Sequence, residues 1–336
     1  MSHVFSLGSI SPQRQTAQGS RSDATQLNFP VLKGMALSIL KLKPNGYREP
    51  HWHPNANELS YCVKGKALMT MFHPGAGHET FIIEPGTLSF VPMGYLHHIQ
   101  NIGDDELSML VCFNSEKPED IDLSNAVHVV PNSIMSGTFS QNLSFFNEFH
   151  TNDTSVFIGE FKKQPTTHLE WETNRFKMDI GSVVPPVQNQ GGWVKMSNEF
   201  LFPSLDGLAL YLLQLNSKGI REPHWHPNAH ELNIVLKGSA KITLLSPGGA
   251  IDTFDMKEGD ISFLPKGYFH YIENTASADT QMAVFFSHKS PSDIGLSGCL
   301  GAYSNDLLAD LFQCPANYLD KFPKYQHDLF VVAGGG

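Results

Sequence analysis

Two strings of similar sequence carry most of the chemistry that this chain can do. REPHWHPNANEL occupies 48–59, and REPHWHPNAHEL occupies 221–232. Each offers two imidazoles two residues apart, His51 and His53 or His224 and His226, followed by a carboxylate, Glu58 or Glu231. A third imidazole, His97 or His270, comes after the turn sequence Pro92-Met93-Gly94 or Pro265-Lys266-Gly267. Three neutral imidazoles and one carboxylate make a borderline-hard N3O set, suited to Mn, Fe, Cu or Zn rather than to Ca or Mg. The Glu oxygen favours six-coordination with two positions open, as a substrate or oxygen site requires. Arg48 and Arg221 stand three residues before the first imidazole of each set. A guanidinium at the mouth of a metal site holds a carboxylate by a bidentate pair and stabilises negative charge there. The competing use of each arginine is a salt bridge to a nearby carboxylate such as Glu49.

Such a set needs elements that aim it. On a strand, residues i and i+2 share a face, so His51 and His53 point together while Trp52 points away. Pro54 and Asn55 then turn the chain and return Glu58, and His97 arrives on a separate strand. The whole arrangement recurs at a fixed shift of 173 (221 − 48), which pairs Gly8-Ser9 with Gly181-Ser182, Gly65 with Gly238, Gly86 with Gly259, Asn101 with Asn274 and Asp120 with Asp293. A period this long means two domains of one design and excludes a solenoid. The expected division is a first domain over 5–139, a connection over 140–177, a second domain over 178–312 and a tail over 313–336. Within each repeat, short apolar and β-branched runs such as MALSILKL and ELSMLVCF, punctuated by Gly, Pro and Asn, predict an all-β sandwich or barrel. Helix is expected only late in each repeat, where NSIMSGTF and NDLLADLF begin with a capping-type Asn.

Composition narrows the partners. A length of 336 residues is ordinary for two domains, and 41% hydrophobic residues with 17% charged, 28 Gly and 21 Pro exclude disordered, collagenous and coiled-coil chains. A net charge of −10 without a basic run argues against nucleic acid. No stretch approaches the roughly 18–20 apolar residues of a membrane span, and the N-terminus lacks a secretory pattern, so a cytoplasmic protein is expected. Cys62, Cys112, Cys299 and Cys314 are too sparse for a disulfide framework; Cys62 and Cys112 read as buried thiols.

The patterns G-x4-HxHxxxxE-x6-G, from Gly46 to Gly65, and G-x5-PxGxxH-x3-N, from Gly86 to Asn101, resemble the two signature motifs of the cupin superfamily. Both recur, from Gly219 to Gly238 and from Gly259 to Asn274. The resemblance implies a bicupin: two antiparallel jelly-roll barrels, each with a metal inside its mouth. REPHWHPNAHE in turn is similar to the RELHWHP-type motif of bacterial and fungal oxalate decarboxylases, a manganese bicupin group. That likeness implies Mn(II) in both His3Glu sets, oxalate held by Arg48 and Arg221, dioxygen as electron acceptor, and loss of carbon dioxide to leave formate. It also implies a proton-donating acid on a lid loop after the last strand of the first barrel. The family's Ser-Glu-Asn-Ser lid is absent here; by spacing from Phe113 the best match is Asp120, then Glu119, then Glu116. The position of a further family glutamate in the second barrel is Val284, with Val111 in the first. Family members form trimers or pairs of trimers, so a homo-oligomer is expected. The competing functions are an oxalate oxidase or another cupin dioxygenase using Fe or Cu, and a bicupin that binds metal and carboxylate without turnover.

Overall fold

The computed structural model describes residues 2–149, 153–162 and 174–335; residues 150–152 and 163–173 of the expected connection lie outside it. The chain divides into two compact units, one made of residues 10–28 and 33–181, the other of 1–9, 29–32 and 182–336.

The first unit is two antiparallel sheets. One runs in the order Lys177–Asp179, Thr87–Val91, Glu58–Lys64, Leu107–Phe113, Ala36–Leu42, Gly19–Ala24, Arg14–Thr16. The other runs Ile121–Asp122, Gly46–Trp52, Leu96–Asn101, Ala67–His73, Gly77–Ile83, with Ile158–Glu160 also paired to Gly46–Trp52. Side chains alternate across each strand, so every second residue turns inward. Leu40, Cys62 and Met109 of one sheet thereby share a core with Met69, Met71, Phe81 and Ile99 of the other. This is a jelly-roll barrel, and burying its apolar faces is the main stabilising term.

The second unit repeats the design. Its sheets run Val4–Phe5, Ile261–Leu264, Glu231–Lys237, Thr280–Phe286, Ala209–Leu215, Gly192–Ser197, Val187–Asn189, and Ile294–Gly295, Gly219–Trp225, Phe269–Glu273, Ser239–Leu245, Ile251–Lys257, with Val331–Ala333 on Gly219–Trp225. Val4–Phe5 and Lys177–Asp179 are one position of the repeat, 173 apart. Each extends the sheet of the unit that the other repeat mainly builds. The glycines at the crossings make this close approach feasible: Gly8 N donates to Gly259 O at 2.9 Å, and Gly181 N donates to Gly86 O at 3.1 Å. A Cβ on Gly8 would stand 3.0 Å from Gly259 Cα.

Helices do occur at Asn132–Phe139 and Asn305–Phe312. Their caps lie one residue earlier than the sequence suggested. Ser304 caps the second by accepting from Leu307 N, while Pro131 precedes the first and makes no side-chain cap. Both helices follow the last long strand of their repeat, so the fold is all-β with short C-terminal helices.

Two local devices aim the functional strands. The ladder between Gly46–Trp52 and Leu96–Asn101 sets His97 opposite His51 and then slips before Ile99. At the end of the second of these strands Asn101 Nδ2 donates to Leu42 O and Asp105 O, both at 2.8 Å, and its Oδ1 accepts from Gly103 N. Asn274 does the same work on Leu215 O and Ala278 O. That explains why an Asn closes the second motif: it satisfies buried backbone groups that a turn would leave without partners.

Candidate metal centres

His51, on the strand Gly46–Trp52, and His53, just beyond its end, converge with Glu58, the first residue of the next strand, and with His97. All four are buried and their ligand atoms lie within 4.8 Å of one another. His224, His226, Glu231 and His270 do the same in the second barrel. The predicted sets are thus brought together in full, one per barrel.

The hydrogen bonds around them determine which atoms face inward. His51 Nδ1 donates to Glu49 O at 2.8 Å, His53 Nδ1 to Glu119 O at 3.0 Å and His97 Nδ1 to Tyr95 O at 2.9 Å. In the second barrel the acceptors are Glu222 O, Ser292 O and Tyr268 O, at 2.7, 2.9 and 2.9 Å. A carbonyl accepts only from N–H, so this network assigns a proton to Nδ1 and turns Nε2 inward, where a second proton on His53 or His226, held by the glutamate, would give way to an ion. His97 Nε2 is buried with no hydrogen-bond partner, and it stands 3.4 Å from Glu58 Oε2. The carboxylates are divided likewise. Glu58 Oε1 accepts from Ser60 Oγ at 2.7 Å while Oε2 faces His53 Nε2 at 3.0 Å. Glu231 Oε1 accepts from Asn233 Nδ2 at 2.7 Å while Oε2 faces His226 and His270. Burial alone would raise the Glu58 carboxyl, but His97 and His53 outweigh it and hold the group well below the usual carboxylate range. An orphaned imidazole nitrogen beside an ionised oxygen, both water-excluded, fits a bound divalent cation.

The arginines are at the centres. Arg48 lines the first cavity with His51, His53 and Glu58, and Arg221 lines the second with His224, His226 and Glu231. Neither pairs with the adjacent glutamate. Arg48 binds Asp122 Oδ1 at 2.7 Å and Asp120 Oδ2 at 3.3 Å, and Arg221 binds Asp293. Glu49 instead accepts from the backbone of Ser124 and Phe157, and Glu222 from that of Ser297 and Phe330. Phe157 and Phe330 complete the arginine sites: their carbonyls accept from Nη1 at 3.2 and 3.1 Å, and their rings lie 4.0 and 3.9 Å from the guanidinium carbon. These two phenylalanines were not legible in the sequence. They sit 173 apart, yet the residues around them differ and a lone matching Phe is no signal.

The three candidate carboxylates after Phe113 separate. Asp120 also binds His53 Nδ1 at 2.9 Å and Arg21 Nη1 at 2.8 Å. Burial would raise its pKa, but the His53 hydrogen bond and the two arginines hold it well below the usual range. Glu119 has an exposed side chain, and its backbone is fixed by His53 and Asn55. Glu116 accepts from Gly34 N at 2.8 Å. Val111 and Val284 line the two cavities.

Oxalate decarboxylase OxdC of Bacillus subtilis is 22% identical over 321 residues, covering 93% of this chain and 82% of the relative. An oxalate decarboxylase of Arthroderma benhamiae is 25% identical over 351 residues, covering 94% and 81%. Oxalate oxidase GF-2.8 of Triticum aestivum is 31% identical over 88 residues, 25% of this chain and 39% of the oxidase. The solved structure of Bacillus subtilis oxalate decarboxylase at pH 4.6 superposes with a TM-score of 0.88 at 21% identity, covering 99% of this chain and 88% of that one. The Cupin family model matches residues 5–145 and again 181–317, and each match encloses one complete ligand set, so the chain belongs to the cupin family and carries its domain twice.

Proposed function

We propose that this bicupin is a metal-dependent decarboxylase of oxalate or a similar small dicarboxylate, with Mn(II) as the resident ion of each His3Glu set. The observation that carries this reading is the pairing of each N3O set with a buried arginine in one cavity. Oxalate decarboxylase relatives aligned along nearly the whole chain support the substrate class. The ion would be held by His51, His53, Glu58 and His97, and by His224, His226, Glu231 and His270. It supplies the redox and Lewis-acid chemistry that loosens the carbon–carbon bond.

The chain's own residues do the rest. Arg48 or Arg221 holds a substrate carboxylate and stabilises the charge that develops on it. The bond between the two carbons breaks, one carbon leaves as carbon dioxide, and a proton from the protein goes to the other, giving formate with no net oxidation. Asp120, paired with two arginines and His53, stays ionised and serves as an anchor. We assign proton delivery to Glu119, the lid carboxylate with an exposed side chain, while Glu116 is occupied at Gly34. The apolar faces exposed by Ile134, Phe139, Phe145, Leu311 and Phe312 support assembly into a homo-oligomer, trimer or hexamer, measurable by sedimentation velocity.

The test is turnover by protein loaded with Mn(II) in mildly acidic aerobic buffer containing oxalate. Stoichiometric formate and carbon dioxide are expected. Hydrogen peroxide with two carbon dioxide per oxalate, and no formate, would establish an oxidase, the reading favoured by the Triticum aestivum match and by the absence of the family lid. Carboxylate binding without any product would leave a binding protein.

A further inference from the structure

The two centres share their ligands and differ in the wall beside them. On the strand Gly19–Ala24, Arg21 lies opposite Leu40; on Gly192–Ser197, Val194 lies opposite Leu213. One strand further out, Arg14 is directly across from Arg21, and Val187 directly across from Val194. The first barrel therefore opposes two arginines where the second opposes two valines. Like charges directly opposite on paired strands destabilise a sheet, so the placement has to be compensated.

The compensation lies at the metal centre. Arg21 Nη1 is 2.8 Å from Asp120 Oδ2 and its Nε is 2.9 Å from Asp23 Oδ1. The Phe157 ring takes three guanidiniums, with Arg48, Arg21 and Arg14 at 4.0, 4.9 and 5.4 Å. Phe330 takes Arg221 alone among the described residues. Asp120 Oδ2 is thus shared between Arg21 and Arg48, whereas Arg221 is the one arginine partner of Asp293 among the described residues.

This difference matters when a carboxylate arrives. Arg48 Nη2 or Arg221 Nη2 has to pass from its aspartate to the substrate, while Arg48 Nη1 stays on Asp122 at 2.7 Å. In the second barrel that leaves Asp293, only 8% exposed, without an arginine and with His226 Nδ1 and His224 Nε2 no nearer than 3.7 and 3.8 Å, and a buried charge that loses its close partner is strongly unfavourable. In the first barrel Asp120 keeps Arg21. We propose that Arg21 is a positioning residue which makes the first centre the tighter carboxylate site: it retains Asp120 while Arg48 takes the substrate. This rests on the carboxylate reading of the site.

The experiment is calorimetric titration of the Mn-loaded protein with oxalate and, separately, with acetate. Wild type, Arg21→Val, Arg21→Gln and Arg21→Lys are compared, with bound metal and circular dichroism measured on each. Wild type is expected to show two classes of site at least about tenfold apart. Arg21→Val and Arg21→Gln should bring the tight class to within about threefold of the weak one for both acids, with metal content unchanged, and Arg21→Lys should restore much of the gap. Turnover should show the loss in KM with kcat preserved. Equal sites in wild type, or affinities unaltered by the Arg21 variants, would overturn the proposal. A loss confined to oxalate would also overturn it, because Arg21 would then be touching the substrate's far carboxylate. If neither acid binds wild type, the carboxylate reading itself fails, an outcome distinct from the others.

Discussion

Each ligand imidazole is committed before an ion arrives, because its Nδ1 proton is already held by a backbone carbonyl. The carboxylates are committed by single neighbours, Ser60 for Glu58 and Asn233 for Glu231. Ser60→Ala frees Glu58 Oε1 and should weaken metal binding at the first centre by about 10–100-fold, leaving the second unchanged; chelator competition would show one weakened ion per chain. Asp120 and Glu119 are told apart by a second pair of variants. Glu119→Gln should abolish formate with both metals retained, whereas Asp120→Asn should chiefly raise KM by loosening Arg48 and His53. Formate production that survives Glu119→Gln would remove that residue from the chemistry. The clustering of His51, His53 and Glu58 was readable from spacing, since strand periodicity and one turn bring them together, whereas His97 and the two arginines were singled out with the help of the repeat and the motif resemblance. Arg21, Asp122 and Phe157 were not, because their roles arise from contacts between strands far apart in sequence.

At the scale of elements, the long strands were legible wherever apolar residues run or alternate, as in ALSILKL at Ala36–Leu42 and LSMLVCF at Leu107–Phe113. The strands GSRSDA at Gly19–Ala24 and RQT at Arg14–Thr16 carry no such pattern, because they flank the sheet and keep polar side chains half in water. Those illegible strands hold the residues that distinguish the two centres. The motif glycines are readable in kind but not in weight. Gly65 has φ +91° and a Cβ there would come 2.7 Å from Leu107 Cα; Gly94 has φ +81° and open space around it. Gly94→Ala should therefore cost about 1–2 kcal/mol of left-handed strain, and Gly65→Ala clearly more, since backbone has to shift. Urea midpoints of the two variants would check the order, and equal shifts would show that the hairpin relaxes freely.

At the scale of the molecule, the duplication was plain from the shift of 173, but the exchange of edge strands was not. Nothing in VF at Val4–Phe5 or KMD at Lys177–Asp179 states which sheet it will join. Removing residues 2–9 takes away the strand beside Ile261–Leu264 together with the bonds from Phe263 N to His3 O and from Gly8 N to Gly259 O. Each buried backbone group left without a partner costs about 1–3 kcal/mol. The deletion should lower the calorimetric transition of the unit containing the second ligand set while the other holds its place; an unaltered profile would mean that the strand contributes nothing to stability.

The same exchange sets a schedule during synthesis. Phe5 pairs with Ile261, which is made 256 residues later (261 − 5), a wait of roughly ten to fifty seconds at about 5–20 residues per second. Residues 10–28 and 33–181 all emerge in that interval and can close their own barrel. The leading strand meanwhile stays unpaired beside other nascent chains on the same message. A long apolar edge left open that long would invite misassociation. A strand of two residues is too short to be an effective template, so its brevity protects the chain until its sheet exists.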